Sequence, residues 1–200
     1  MDYLAAKVRA ANPGVRVVGA PGAGFFMGEA KPFTGTGYLD GYKWVYANHN
    51  VSLHVNQACL AAKAAAGEPW KCFIAPETLP YISTPLFISN SLSDAWQAGA
   101  VMGLGCTPTA PGKCSAAAVA YLQDFRQQML TALAPVLAPG SPHGGFLQGC
   151  FVHVVEDTNT GWVGVKVGGQ SQAQTFSKWL AGEPGGTQVD TFPPWSNPSC

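Results

Sequence analysis

Two residues of the sequence have the types and positions that acid–base chemistry needs. Asp94 lies in the stretch NSLSDAWQ, residues 90–97, directly after an apolar segment, and His153 ends the apolar stretch GFLQGCFVH, residues 145–153. A carboxylate that orients an imidazole, and an imidazole that moves protons, are two of the three groups of a Ser–His–Asp site. Because the groups that follow parallel strands gather at one edge of the sheet, we expect Asp94 and His153 to meet there.

Both residues also have ordinary structural explanations. An Asp after a strand is most often a turn residue or a helix cap, and a His in an apolar strand is most often a core residue with a satisfied hydrogen bond. The other histidines are weaker candidates. His49 and His54 have no carboxylate nearby in sequence, and we expect His143, in the loop PGSPHGG, to be solvated.

The nucleophile of such a site is missing from the expected place. The motif G-x-S-x-G does not occur in the 200 residues. In α/β-hydrolases the chain order is nucleophile, acid, histidine. Cys114 in GKCSA, residues 112–116, follows the acid, and Ser171 in GGQSQAQ, residues 168–174, follows the histidine. Neither has the right order, and a disulfide to the nearby Cys106 explains Cys114 better.

The elements around these residues alternate between strand and helix patterns. Short apolar runs bounded by Gly, Pro or Asn predict strands at VRVVG (15–19), TPLFISN (84–90) and GFLQGCFVH (145–153). Helical patterns occupy 50–67, 115–137 and 171–182, and a first helix closes at Asn12-Pro13-Gly14. Ser115 and Ser171 are the expected caps, and Pro135 is expected to end or kink the second of these helices. The order predicts an α/β fold whose mainly parallel sheet is flanked by helices.

Composition argues against several classes of protein. Lys plus Arg and Asp plus Glu number 11 each, so no basic surface indicates nucleic acid as a partner. We predict no membrane span, because no run of 18 apolar residues occurs. The glycine-rich stretch 19–41 lacks G-K-[ST] and G-x-G-x-x-G, which argues against nucleotide binding.

The six cysteines favour disulfides over a metal site. None forms C-x-x-C, so we expect no metal. Spacing favours two local bridges, Cys59–Cys72 and Cys106–Cys114, and leaves Cys150 and Cys200, which either pair with each other or lack a partner. The alternative is a set of buried free thiols in a reducing compartment.

An ordered set of motifs resembles the pectin acetylesterase and Notum family of carboxylesterases. These motifs are NSLSDAWQ, LQDFRQQMLTAL, GGFLQGCFVHV, the two-cysteine stretch 59–91, AGFFMG (23–28) and the closing NPSC. The resemblance covers nearly the whole chain. It departs from the family at Gly22 and Gly28, where Asp is usual.

The resemblance implies a function and a fold. Asp94 would be the acid and His153 the histidine of a Ser–Asp–His site in an α/β-hydrolase-like domain that needs no cofactor or metal. The substrate would be an ester-bearing polysaccharide or an acylated protein, and the intact parent would be secreted. The sequence leaves the oligomeric state open.

The resemblance also accounts for the missing serine. In the family the G-C-S-A-G-G elbow precedes the helix that leads to the A-G-F-F segment, and Met1 falls inside that helix. We therefore expect residues 1–200 to be a single unit, the C-terminal part of an esterase domain, inactive alone and without a signal peptide. The alternative is a non-catalytic remnant or a carbohydrate-binding module whose tryptophans stack on sugars. Those tryptophans are Trp70, Trp96, Trp162, Trp179 and Trp195.

Overall fold

The fold is described by a computed structural model over residues 1–28, 38–107 and 114–200. The α-helices are α1 (Asp2–Ala11), α2 (Tyr38–Asn48), α3 (Gln57–Ala64), α4 (Ala75–Thr78), α5 (Ala95–Ala100), α6 (Ala116–Ala132), α7 (Ala134–Leu137), α8 (Asn159–Gly164) and α9 (Gln172–Ala181). The strands are β1 (Phe87–Ser91), β2 (Gly144–Gln148), β3 (Lys166–Val167), β4 (Gln170–Ser171) and β5 (Thr187–Val189). Short 3-10 turns lie at Val51–Leu53, Pro69–Phe73, Leu79–Tyr81 and Val155–Asp157.

Three parallel strands form the main sheet, in the order β1-β2-β5. Side chains alternate between its two faces. Ile88 and Leu147 join the core beneath α6, whereas Phe87 and Phe146 pack with Trp179 of α9. Helices therefore cover both faces, as the predicted α/β class requires.

The predicted strand at 15–19 is wrong in position, and its neighbours explain why. Gly19 and Gly22 form isolated parallel bridges to Leu86 and Ser89, so the pairing segment starts where the prediction ended. The carbonyl of Pro21 accepts from the N–H of Ser89, but Pro21 has no N–H to return to the ladder. The missing donor interrupts the ladder, and no continuous strand forms beside β1.

The other two predicted strands exist with shifted ends. TPLFISN contains most of β1, which begins at Phe87 and continues to Ser91. The segment predicted at 145–153 is a strand only over Gly144–Gln148, so His153 lies in the loop beyond β2 and not at the end of the strand. β5 was not predicted.

The helix predictions are confirmed at α1, α6 and α9. The Ser115 side chain accepts from the N–H of Ala118 at the start of α6, and Pro135 lies in the first turn of the separate α7. Ser171 and Gln174 form a capping box on α9. The single helix predicted at 50–67 is wrong: a 3-10 turn at Val51–Leu53 precedes α3, which Asn56 caps by accepting from the N–H of Cys59.

The six cysteines form three disulfides: Cys59–Cys72, Cys106–Cys114 and Cys150–Cys200. The two local bridges are those that the spacing favoured, and Cys150 pairs with Cys200. In the parts of the chain that the structure describes, no helix is both long enough and apolar enough to cross a membrane.

Candidate active site

Asp94 is fixed by its position at the start of a helix. It follows β1 and is the N-cap of α5, where its Oδ1 accepts from the N–H of Gln97 at 2.9 Å. Its other oxygen, Oδ2, lies 2.9 Å from Nδ1 of His153. The residue is fully buried. The cap and the imidazole thus use both carboxylate oxygens, so the role as a helix cap and the expected contact with His153 occur together.

His153 is brought to Asp94 by the loop that follows β2. The loop is tied down by the Cys150–Cys200 disulfide and by the hydroxyl of Ser91, which donates to the carbonyl of Cys150 at 2.5 Å. The N–H of Ala95 also donates to the carbonyl of Val152 at 3.3 Å. These contacts join the His153 loop to the end of β1 and to α5.

The geometry suits an imidazole that moves protons. With Nδ1–H donated to the carboxylate of Asp94, Nε2 carries the free lone pair and can accept a proton from a hydroxyl. The His153 side chain is 28% exposed, whereas that of Asp94 is not exposed at all. A buried carboxylate behind a partly open imidazole is the arrangement that orients a general base.

Two aromatic rings border the imidazole. The centroid of the Trp96 ring lies 5.9 Å from that of the His153 ring, and the two planes make an angle of 29°. The centroid of the Phe26 ring lies 6.1 Å from that of His153 and 5.1 Å from that of Trp96. Trp96 is 42% exposed, so part of its surface is open beside the site.

The stretch NSLSDAWQ contains two positioning residues that the sequence did not single out. Asn90 Oδ1 accepts from the N–H of Phe25 at 3.1 Å, and Gln97 Oε1 accepts from the N–H of Met27 at 2.8 Å. Gln97 also donates to the carbonyl of Phe25. These buried amides hold residues 25–27 against the site, which places Phe26 beside His153. The signal was present as polar residues inside an apolar stretch.

Asp190, directly after β5, is a further buried acid that the sequence reasoning missed. Its Oδ2 accepts from the N–H of Gly149 at 2.9 Å and from Nδ2 of Asn197 at 2.6 Å, and its carbonyl accepts from Arg126. Burial lowers the pKa of Arg126, which the charge of Asp190 opposes. This network fixes the first residue of the turn that leads to Cys150, and so supports the His153 loop.

The remaining candidate nucleophiles are occupied by structural roles. Cys114 is in a disulfide, and Ser171 is 2% exposed and serves as the cap of α9. Neither residue lies on α5 or in the loop after β2, the two segments that hold Asp94 and His153. His49 and His54 are exposed on the helical region after residue 38.

We expected His143 to be solvated, and this prediction is wrong. It is half-buried, and its Nδ1 accepts from the N–H of Leu86 at 3.1 Å. Burial lowers the pKa of His143, and the nearby Asp2 carboxylate acts in the opposite direction. The residue lies before β2, at the other end of the sheet from Asp94.

Within the described residues, no three His, Cys, Asp or Glu side chains cluster as metal ligands would.

Comparison with a solved structure defines the class of protein. The structure of the Wnt deacylase Notum from Drosophila superposes with a TM-score of 0.79 over 100% of this chain and 54% of that one, at 21% identity. The fold is thus that of an α/β-hydrolase-like protein, with a parallel sheet flanked by helices.

Sequence comparison defines the family. The pattern of the pectinacetylesterase family matches residues 2–200, and the chain belongs to this family. It is 31% identical to pectin acetylesterase 7 of Arabidopsis thaliana over 195 residues, and 28% identical to pectin acetylesterase 11 over 191 residues. Each match covers 89% of this chain and 47% of the relative, so the chain spans about half the length of these relatives.

Proposed function

We propose that these 200 residues carry the acid and the histidine of a serine carboxylesterase site. The observation that carries the proposal is the contact of 2.9 Å between Asp94 Oδ2 and His153 Nδ1, made in a member of the pectinacetylesterase family. The nucleophilic serine and its oxyanion donors come from sequence outside these residues, because the chain itself contains no G-x-S-x-G. Residues 1–200 act as one unit, the C-terminal part of the esterase domain.

In the proposed reaction the serine oxygen attacks the carbonyl carbon of an ester, and Nε2 of His153 takes the serine proton. Collapse of the tetrahedral intermediate breaks the bond to the leaving alcohol, which receives that proton from His153. Water then attacks the acyl-serine with His153 again as the base, and releases the carboxylic acid. Asp94 holds the imidazole in the tautomer that leaves Nε2 free, and stabilises the imidazolium.

The substrate class follows from the named relatives and stays at that level. An acetylated polysaccharide is the proposal that the Arabidopsis pectin acetylesterases support, and an acylated protein is the one that the Wnt deacylase supports. Three disulfides suit an oxidising compartment, so we propose that the parent protein enters the secretory pathway.

A chimera tests the proposal directly. The amino-terminal part of Arabidopsis pectin acetylesterase 7, up to the start of its match with this chain, is fused before Met1. We expect this chimera to hydrolyse p-nitrophenyl acetate with saturation, and the variant His153→Ala to lose that turnover. The 200-residue chain alone is expected to show no saturable turnover, since one lost oxyanion donor already costs about 10²–10³ in rate.

Saturable turnover by the unfused chain that disappears with His153→Ala would refute the assignment of the serine to outside sequence. Turnover by the chimera that survives His153→Ala would refute the role of the histidine. A carbohydrate-binding module is less well supported, because four of the five tryptophans named for it, Trp70, Trp162, Trp179 and Trp195, are at least partly buried. Only Trp96 of that set is exposed, and the other exposed tryptophan, Trp44, lies on α2.

A further inference from the structure

Glu156 lies three residues after His153, and its side chain turns back toward the sheet. Its Oε2 accepts from the hydroxyl of Ser89 at 3.3 Å, and Ser89 is a buried residue of β1. Its Oε1 is buried and has no hydrogen-bond partner among the residues that the structure describes. A buried carboxyl oxygen without a partner is costly, so its position calls for an explanation.

Gly22 leaves room for the Glu156 side chain, and the backbone next to Glu156 is tightly constrained. A Cβ on Gly22 would lie 2.1 Å from Oε1 of Glu156, so the carboxyl group occupies the space that any side chain at position 22 would need. Val154, between His153 and Glu156, has φ 55° and ψ 56°, a left-handed conformation that is rare for a β-branched residue. A Cβ on Gly161 would lie 1.6 Å from the carbonyl oxygen of Val155.

Glu156 completes a pair of tethers on either side of His153. Three residues before the histidine, the carbonyl of Cys150 accepts from the hydroxyl of Ser91. Three residues after it, Glu156 accepts from the hydroxyl of Ser89. Both serines lie on β1, the strand that leads to Asp94. The His153 loop is thus bound at both ends to the strand that positions its carboxylate partner.

The charge of the group is consistent with this location. Burial raises the pKa of Glu156, whereas hydrogen bonds from its own backbone N–H and from the Ser89 hydroxyl lower it. The neighbouring Asp157 carboxylate raises it further, and His153 acts in the opposite direction.

We propose that Glu156 is a positioning residue that holds the His153 loop against β1 and so maintains the hydrogen bond between His153 and Asp94. Its importance for turnover rests on the proposed esterase function, but its effect on the hydrogen bond does not. The carboxyl group acts by its shape and by accepting from Ser89, so Gln at this position serves nearly as well.

The test uses the 200-residue chain and proton NMR. A proton held between an imidazole nitrogen and a carboxylate is strongly deshielded, so the Nδ1–H of His153 gives a far-downfield signal, assigned by its absence in His153→Ala. We expect Glu156→Ala to broaden or abolish the signal by faster exchange with water, and Glu156→Gln to retain it. Asp157→Asn, which removes the adjacent exposed carboxylate, is the matched control and is expected to leave the signal unchanged.

A second pair of variants keeps the proposal testable if Glu156→Ala fails to fold. Gly22→Ala places a methyl group where Oε1 lies, and we expect it to displace Glu156 and weaken the signal. In the Glu156→Ala background the same methyl group meets no carboxyl group, so it is expected to have no additional effect. A wild-type signal in Glu156→Ala overturns the proposal, and if that variant does not fold, a wild-type signal in Gly22→Ala overturns it.

The chimera separates this proposal from the esterase assignment. There, Glu156→Ala is expected to lower kcat by roughly 10² with little change in KM, because a misplaced general base slows the chemical step. If the parental chimera hydrolyses no ester, the proposed function fails, while the NMR result still decides the role of Glu156. If the chimera is active and Glu156→Ala leaves kcat unchanged, the positioning role is refuted.

Discussion

The two ends of the three-stranded sheet each hold a histidine, and the two histidines differ in their partners. At the carboxyl end, Nδ1 of His153 lies 2.9 Å from a buried carboxylate oxygen of Asp94. At the amino end, Nδ1 of His143 accepts from the backbone N–H of Leu86. The first nitrogen faces an acceptor and the second faces a donor, so only the first can carry the proton.

The two ends of the sheet also differ in the polarity and the packing of their surroundings. The carboxyl end is filled with buried polar side chains that bond to one another or to the backbone, among them Ser91, Asp94, Gln97, Gln148 and Asp190. The amino end opens into a cavity of about 550 Å³ lined by residues that precede the strands, including Pro85, His143 and Gly186. There Arg16 donates to the carbonyl of Leu180 and lies over the Trp179 ring.

The difference shows that a histidine is given its chemistry by its partner. Burial lowers the pKa of His143, and the N–H of Leu86 makes its Nδ1 a structural acceptor. A carboxylate beside Nδ1 leaves Nε2 of His153 free, as the proposed role in proton transfer requires. The cavity at the amino end therefore does not make His143 a candidate catalytic residue, because no carboxylate of the described residues accepts from its Nδ1.

The largest effect is expected from the disulfide that anchors the His153 loop. Replacing both Cys150 and Cys200 by Ser opens a loop of sequence separation 50, and the chain-entropy estimate gives a loss of about 4 kcal/mol in the free energy of unfolding. The control replaces both Cys106 and Cys114, of separation 8, with an expected loss of about 2.5 kcal/mol. Urea unfolding measures both, and equal losses would contradict the idea that the long bridge is the main restraint at the carboxyl end.

Removing the carboxylate that distinguishes the two ends should have the next largest effect. Asp94→Ala removes the cap of α5 and leaves the buried N–H of Gln97 without its acceptor, so we expect a loss of about 2–3 kcal/mol in unfolding free energy. Asp94→Asn keeps an acceptor for the N–H of Gln97 and is expected to lose about 1 kcal/mol. The exposed Asp40→Ala is the control, with a change of about 0.5 kcal/mol or less. A loss for Asp94→Ala no larger than the control would mean that the carboxylate does not support the fold.

The sequence predicted the residues of the candidate pair because their positions are encoded locally. Asp94 follows an apolar strand and begins a helix, and α6 and α9 carry caps and apolar faces that can be read directly. The same applies to the α/β order of elements, since each strand is bounded by turn residues. Local signals were therefore sufficient to predict the α/β class and to single out Asp94 and His153 as a candidate pair.

What the sequence missed depends on contacts between distant segments. β5 has only three residues, and Val189 is its only apolar side chain, so its sequence shows no strand pattern. The segment that pairs with β1 lies later in the chain than predicted, and its ladder is interrupted because Pro21 has no N–H group to donate. In the sequence Glu156 looks like an ordinary acidic loop residue, because nothing near it indicates the space that Gly22, far away in the chain, leaves for its side chain.

The smallest expected effect concerns the pH dependence that His143 gives to the amino end. Burial lowers the pKa of His143 in the folded protein below the value of about 6.5 that it has when unfolded. Well above about pH 6.5 both states are neutral and the contribution of the residue is complete. As the pH falls below the unfolded value the unfolded state binds a proton that the folded state does not, so stability is lost until the pH has fallen through the folded pKa. In His143→Asn the amide oxygen can still accept from the N–H of Leu86 but does not titrate. We therefore expect the unfolding free energy of the parent, minus that of the variant, to be constant above about pH 7 and to fall as the pH drops below about 6.5. Asp2 opposes the shift, so Asp2→Asn should make the fall steeper. Urea unfolding across this range tests the sign, and a difference that grows on acidification would show that His143 gains its proton in the fold, as a histidine paired with a carboxylate would.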